Sequence, residues 1–278
     1  DRFSIEISDE FNLLLEKPIT PYAVWVGHSN FLINNNDINI LTDPIFSKRA
    51  SPISFAGPKR LIPPGINFNL LPDIDVVTVS HAHYDHMDIP TLKRLYEINK
   101  NTLFLVPMNS AKLLLSAGIK NVVEMNWWDT ISLRDTLITF VPVHHWSSRT
   151  PFDKNETLWG GWWFEHSSLK LVHLGDTGYT YDFLTINKEL GSPDFAFIPI
   201  GAYEPRSIMK DSHLNPDEAI QTALDLNATH AIGMHWGTFM LTDEPVQEPP
   251  VLVKNRLKEL DLEGLFTIPV PGKIISLE

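Results

Sequence analysis

Asp75-Val76-Val77-Thr78-Val79-Ser80-His81-Ala82-His83-Tyr84-Asp85-His86 sets three imidazoles and a carboxylate into its last six residues. Asp75 through Ser80 reads as a buried β-strand. At its end His81 and His83, two residues apart, project to the same side and can share one ion. Asp85 and His86 are adjacent and would diverge on a continuing strand, so they converge on a second ion only if the chain turns. Asp88 and Pro90 supply the turn, as start signals for a helix running to about Lys100. A purification tag would not interleave Ala, Tyr and Asp behind a hydrophobic strand, and the pattern is that of a metal site.

Composition narrows the rest. The chain has 278 residues with 43% hydrophobic content, enough to bury a substantial core, and no linker, charge block or repeat divides it, so one domain over 1–278 is expected. Asn34-Asn35-Asn36-Asp37 reads as a hairpin turn. With no cysteine, disulfides and thiolate ligands are excluded, and any metal is held by nitrogen and oxygen alone. The net charge of −12 argues against nucleic acid as a partner, because that affinity comes mainly from Lys and Arg neutralising phosphates. No apolar run approaches the roughly 20 residues that span a bilayer, and no signal-peptide core opens the chain. A cytoplasmic location, with peripheral membrane contact, is the expectation; a targeting segment upstream of Asp1 stays open. The stretch from Lys48-Arg49 to Lys59-Arg60 has four basic residues and no acidic one, and reads as a solvated loop or a contact for anionic headgroups.

Strands are expected near Tyr22–Val26, Asn30–Ile33, Ile38–Thr42, Thr102–Val106, Leu137–Val143, Trp159–Glu165, Leu169–Leu174, Phe195–Pro199 and His230–Met234. Helices are expected over Ser110–Ala117, Asp182–Leu190, Pro216–Leu226 and Val251–Leu260. This order suggests an α/β arrangement of two sheets packed face to face and covered outside by helices. Metal-binding side chains then belong at strand ends along one edge. His145, Asp176 and His235 each follow a mostly apolar strand beside Gly or Trp. Assigning His81, His83 and His145 to one ion and Asp85, His86 and His235 to another, with Asp176 as a bridge, gives each metal four protein ligands. Such nitrogen and oxygen sites with open positions suit two catalytic zinc ions, with iron or manganese as alternatives.

These residues, in this order, resemble the metallo-β-lactamase superfamily. The resemblance implies an α/β (α+β) fold, an αβ/βα four-layer sandwich of two mixed sheets with a binuclear site at one edge. Further stretches look like the N-acyl phosphatidylethanolamine-hydrolysing phospholipase D family: Trp25-Val26-Gly27-His28-Ser29, Leu41 through Pro52, Gly57-Pro58-Lys59-Arg60, Gly175-Asp176-Thr177-Gly178-Tyr179, Ile198 through Arg206, and His235-Trp236-Gly237-Thr238. This similarity runs from about Trp25 to Pro250. It implies that His145 rather than His144 is the ligand, since the family motif is His-Trp. It also implies substrate-side roles for His213 and Tyr84. His144 stands where Gln is expected and Phe55 where Tyr is frequent.

His213 also has an argument of its own. Asn215 and Pro216 mark a helix start with Asp217 and Glu218 in the first turn, so His213 lies just outside a helix N-terminus, where an anion is favoured. It can hold a phosphate oxygen, protonate a leaving group, or serve a ligand by a plain hydrogen bond. Asp43 is expected to orient a metal-ligating imidazole. His28, His166, His173 and His230 read as structural, and Trp127-Trp128 and Trp162-Trp163 as core or pocket wall. The expected function is hydrolysis of a phospholipid substrate to N-acylethanolamine and phosphatidic acid, with Asp176, Asp85 and His213 carrying the chemistry. The rivals are a lactonase or small phosphodiesterase on the same scaffold, and a non-catalytic metal- or lipid-binding protein.

Overall fold

The computed structural model describes residues 5–11, 20–167 and 169–278. Two seven-stranded sheets form it. In chain order the first holds β1 (Tyr22–Gly27), β2 (Asn30–Asn34), β3 (Asn39–Thr42), β4 (Val76–Thr78), β5 (Leu103–Pro107) and β6 (Val122–Met125), with β14 (Ile274–Ser276) beside β1. The second holds β7 (Thr130–Leu133), β8 (Thr136–Val141), β9 (Gly161–His166), β10 (Leu169–His173), β11 (Phe195–Pro199), β12 (His230–Met234) and β13 (Phe266–Thr267), adjacent in that order. Both are mixed. β1, β2 and β3 pair antiparallel while β3 to β6 pair parallel. β7 to β10 pair antiparallel while β10 to β13 pair parallel.

The first sheet is buried on both faces, and its side chains alternate between two cores. Ala23, Trp25, Phe31, Ile33, Ile40 and Leu105 enter the core shared with the second sheet, against Ile138, Phe140, Trp162, Phe164 and Phe197. Their neighbours Val24, Val26, Leu32, Leu41, Val77 and Phe104 face the other way. There they meet Leu92 and Leu95 of α1 (Ile89–Ile98) and Leu114 of α2 (Ala111–Ser116). Behind the second sheet lie α3 (Asp182–Leu190), α5 (Pro216–Asp225) and α6 (Glu248–Glu259), contributing Phe183, Ala219, Val253 and Leu257. A short α4 (Arg206–Met209) precedes α5. This is the expected helix–sheet–sheet–helix sandwich, in which the central strands of each sheet find apolar partners.

Several boundaries differ from expectation for identifiable reasons. β6, β7, β13 and β14 are short and half-buried, so they carry little apolar periodicity. α6 starts at Glu248 because Pro249, in its first turn, needs no backbone donor. Asp88 does occupy the cap position of α1, but its carboxylate makes no cap hydrogen bond. It accepts instead from Ser47 N, Ser47 Oγ and Thr91 Oγ1, tying the loop after β3 to the helix start. Trp162 and Trp163 are core as expected, whereas Trp127 and Trp128 are 37% and 40% exposed on the turn before β7 and are not. The basic stretch is mostly exposed, except that Arg60 turns inward, donating to Ile45 O and Ser47 O and lying over the Phe239 ring.

Strand direction decides where the functional residues go. β1 and β3 run the same way, each antiparallel to β2, and β4 is parallel to β3, so the residues after all three emerge at one edge. β8 and β10 likewise share a direction, each antiparallel to β9, and β11 and β12 follow β10 in parallel. His28, Asp43 and His81 leave the first sheet at that edge, and His145, Asp176 and His235 leave the second.

Candidate metal centre

Five imidazoles and two carboxylates from four separate segments meet at this edge. His81 Nε2 lies 2.8 Å from His83 Nδ1, and His145 Nε2 lies 3.4 Å from that same nitrogen. His86 Nε2 and His235 Nε2 are 3.3 Å apart, and Asp85 Oδ2 is 3.4 Å from the first and 3.6 Å from the second. Asp176 stands between the trios. Its Oδ2 is 3.1 Å from His86 Nε2 and 3.9 Å from both His81 Nε2 and His145 Nε2, while Oδ1 is 3.0 Å from His235 Nε2.

Backbone geometry makes these approaches feasible. Gly175 has φ +62°, and a Cβ there would lie 2.5 Å from the Cβ of Ser80, so only glycine lets the end of β10 close on the His81 strand end. Asp43 (φ 37°), His235 (φ 60°) and His28 (φ 59°) all sit in the left-handed region that side chains normally avoid. Three such residues at one site are strain held by the surrounding packing.

The outer nitrogens show which way the lone pairs point. His86 Nδ1 donates to Asp43 Oδ2 at 2.8 Å and His145 Nδ1 donates to the Ser212 carbonyl at 2.9 Å. Ser80 Oγ donates to Asp43 Oδ2, so its lone pair accepts from His81 Nδ1 at 2.9 Å. With each outer nitrogen carrying the proton, the inner Nε2 of His81 and His145 is an unprotonated lone pair, while that of His86 faces the carboxylates of Asp85 and Asp176. Lone pairs converging within 3–4 Å repel unless a cation sits among them. Among the described residues His83 Nε2 also has no hydrogen-bond partner, although it is buried. The donor set therefore fits divalent cations bound by nitrogen and oxygen.

Protonation equilibria carry the same strain. Burial, followed by the neighbouring imidazoles of His86, His83 and His145, pushes His81 well below the usual histidine range, and burial does the same to His145. Burial works against charge on Asp176, but the His235 and His86 rings outweigh it and hold the carboxyl well below the usual range. Those two rings are raised in turn, His235 to about 9, because Asp176 and Asp85 overcome their desolvation.

Each residue singled out in the sequence can now be placed. His81, His83, His145, Asp176, Asp85, His86 and His235 come together, and Asp43 contacts His86 as expected. His213 is buried, groups with His145 and Asp176, and keeps Nδ1 unpartnered; burial lowers its pKa to about 4. The helix behind it starts as read, with an Asn215–Glu218 capping box. Tyr84 does not join the donors: its hydroxyl donates to the Arg149 carbonyl and its ring lies under the Arg149 guanidinium. His144 is exposed, pairing through its backbone with Gly178.

His166, His173 and His230 lie away from the cluster, bonded or adjacent to Asp37, Ser29 O and Gly264 O respectively. His28 overturns its structural reading, since its Nε2 is 2.8 Å from Asp85 Oδ2 and its ring lies on that of His235. The signal was present: Gly27-His28 ends an apolar strand as Gly233-Met234-His235 does.

The model of the Beta-lactamase superfamily domain matches residues 38–236. N-acyl-phosphatidylethanolamine-hydrolyzing phospholipase D 1 of Caenorhabditis elegans is 39% identical over 250 residues, covering 86% of this chain and 69% of that protein. The mitochondrial N-acyl-phosphatidylethanolamine-hydrolyzing phospholipase D of Saccharomyces cerevisiae is 36% identical over 253 residues, 88% of this chain and 53% of that one. Among solved structures, isothiocyanate hydrolase from Delia radicum gut bacteria superposes with a TM-score of 0.73 at 16% identity, covering 92% of this chain and 98% of that one, a likeness of fold alone. The chain is a metal-dependent hydrolase of the metallo-β-lactamase fold. Within that superfamily it belongs to the N-acyl-phosphatidylethanolamine-hydrolysing phospholipase D family.

Proposed function

We propose that the protein binds two zinc ions and hydrolyses N-acyl phosphatidylethanolamine at the distal P–O bond, releasing N-acylethanolamine and phosphatidic acid. The observation that carries this reading is the pair of donor trios joined by Asp176. His81, His83 and His145 would hold one ion and Asp85, His86 and His235 the other. Metal ions held there would supply a water acidified toward a pKa of about 7 and positive charge for the oxygens of an in-line displacement at phosphorus. The chain's part is to orient and to exclude. Asp176 sets the spacing of the two trios, Asp43 and Ser212 hold the rings in the ligating tautomer, and the unpartnered Nδ1 of buried His213 is available to a phosphate oxygen.

A lipid substrate and peripheral membrane contact are supported by the loops around the centre. Phe152, 92% exposed, stands on the loop that holds Tyr84, and Phe55, 80% exposed, on the basic loop anchored by Arg60. Exposed Met240 follows Phe239, whose ring packs on His28, and exposed Ile208 lies in α4, whose Met209 O accepts from His213 N. Large apolar side chains on three separate loops and a short helix suit acyl chains better than a small polar ester.

Elemental analysis of the purified protein together with product identification from N-acyl phosphatidylethanolamine vesicles, for wild type and Asp176→Asn, tests the reading. Two zinc per chain and metal-dependent N-acylethanolamine release, both lost in the variant, are expected. Two metals without lipid cleavage would transfer the assignment to a lactonase or small phosphodiesterase.

A further inference from the structure

We propose that His28 is a positioning residue for the second ion, which it serves by fixing Asp85. The inference rests on the two-ion reading above. Its observations are the contacts of His28 itself, two of whose partners, Asp85 and His235, are presumed ligands.

Asp85 is the one carboxylate in its trio, carried on a loop rather than a strand. Its Oδ2 faces the Nε2 atoms of His86 and His235, and the same oxygen accepts from His28 Nε2 at 2.8 Å. An ionised carboxylate oxygen has two lone-pair directions, so one can be held by an N–H while the other is presented to a cation. Among the described residues this is the shortest side-chain contact to Asp85, against 3.4 Å from His86 Nε2 and 3.6 Å from His235 Nε2, so His28 is the group that most constrains the carboxylate.

The His28 ring is itself immobilised. Its backbone N–H donates to Thr238 Oγ1 at 2.7 Å, and its carbonyl accepts from Trp25 Nε1 at 2.7 Å and from His235 N at 3.1 Å. One ring face lies 4.0 Å from the centroid of His235, and Phe239 meets it edge-on at 5.3 Å. A non-glycine residue held at φ 59° by five such contacts is over-determined, as side chains that orient a reactive group are. Asp43 on His86 and Ser212 O on His145 do the same for other members of the cluster. His28 completes the set on the carboxylate.

The test is zinc binding by His28→Ala, His28→Gln and His28→Asp proteins, measured by chelator competition, with cobalt absorption spectra as the readout of coordination. Wild type first establishes two ions per chain; if it binds none, the two-ion reading fails, separately from this inference. With two ions in wild type, His28→Ala should weaken one of them about 10- to 100-fold and leave the other unchanged. His28→Gln, whose amide can donate to Asp85, should restore most of the loss, and its cobalt spectrum at saturation should match wild type. Wild-type affinity for both ions in His28→Ala would overturn the proposal. So would rescue by His28→Asp in place of His28→Gln, which would make residue 28 a ligand. Thermal melts of the metal-free variants identify any that fail to fold, and the Gln and Asp proteins decide the question without the Ala protein.

Discussion

Asp176 is the residue on which both halves of the centre depend, since its Oδ2 lies 3.1 Å from His86 Nε2 in one trio and 3.9 Å from His81 Nε2 and His145 Nε2 in the other. Asp176→Asn keeps the shape and removes the charge. It should leave the fold intact, weaken retained metal by more than about 100-fold, and abolish hydrolysis in proportion. Metal content after dialysis and turnover on the same sample check this. Asp43 acts one layer out, accepting from His86 Nδ1, Ser80 Oγ and Ser80 N. Asp43→Asn places an amide where His86 needs an acceptor, and zinc affinity should fall about 10- to 100-fold while the ligands all remain. Wild-type affinity in chelator competition would count against the assignment. At this scale the sequence was most legible where residues cluster in a motif, as in His81 through His86. His28 carried only its place at the end of an apolar strand, and its partner Asp85, 57 residues away, could not be read from that.

Among the elements, the loop after β8 does more than connect. Arg149 donates to the carbonyls of Ala82 and Met87 at 2.8 and 3.0 Å and stacks on Tyr84, while Ser147 Oγ accepts from Ala82 N. It clamps the metal-binding loop from outside. Arg149→Met should cost about 2 kcal/mol, since it leaves buried carbonyls unpaired, and should loosen metal binding roughly tenfold. Urea midpoints and chelator competition on one preparation read both.

A second tie joins the segment after Asp176 to α5, where Tyr179 donates to Asp225 at 2.5 Å. That hydrogen bond, with burial and the Asp225 charge adding to it, raises the Tyr179 pKa to about 12. Because the folded value lies above the unfolded one of about 10, the contribution is complete below about pH 10 and is lost as pH rises toward 12. Tyr179→Phe should lose about 1 kcal/mol at neutral pH and show less of the alkaline decline. Denaturation at pH 8 and 11 compares the two. Helices α3 and α5 were readable from caps and periodicity; β13 and β14 were not, because strands of two and three residues exist only through pairing with β12 and β1.

At the scale of the whole molecule, the centre is a conflict that the fold holds together. His81 and His145 are buried against charge, and the Asp85 and Asp176 carboxylates are balanced only by the His86 and His235 rings, an arrangement that a divalent cation would stabilise. Removing metal with a chelator should therefore lower the melting temperature by roughly 10 °C and restore it on adding zinc. That size follows from about 4 kcal/mol of linkage at 1,000-fold excess over Kd and about 2–4 °C per kcal/mol for a chain of this length. A metal-free protein that melts at the same temperature would contradict it.

The sequence alone determined the chemistry and the class. Strand periodicity, the absence of cysteine and the spacing within His81–His86 are local properties, and they point to nitrogen- and oxygen-ligated metal at strand ends of a two-sheet sandwich. Only the tertiary structure decided which strand ends meet. That depends on strand direction within each sheet, on the close approach of Gly175 to Ser80, and on the long-range pairs that bring Asp43 to His86, Ser212 to His145 and His28 to Asp85. Periodicity reports burial, not partners, so contacts across 40 to 70 residues become visible only when the sheets have closed.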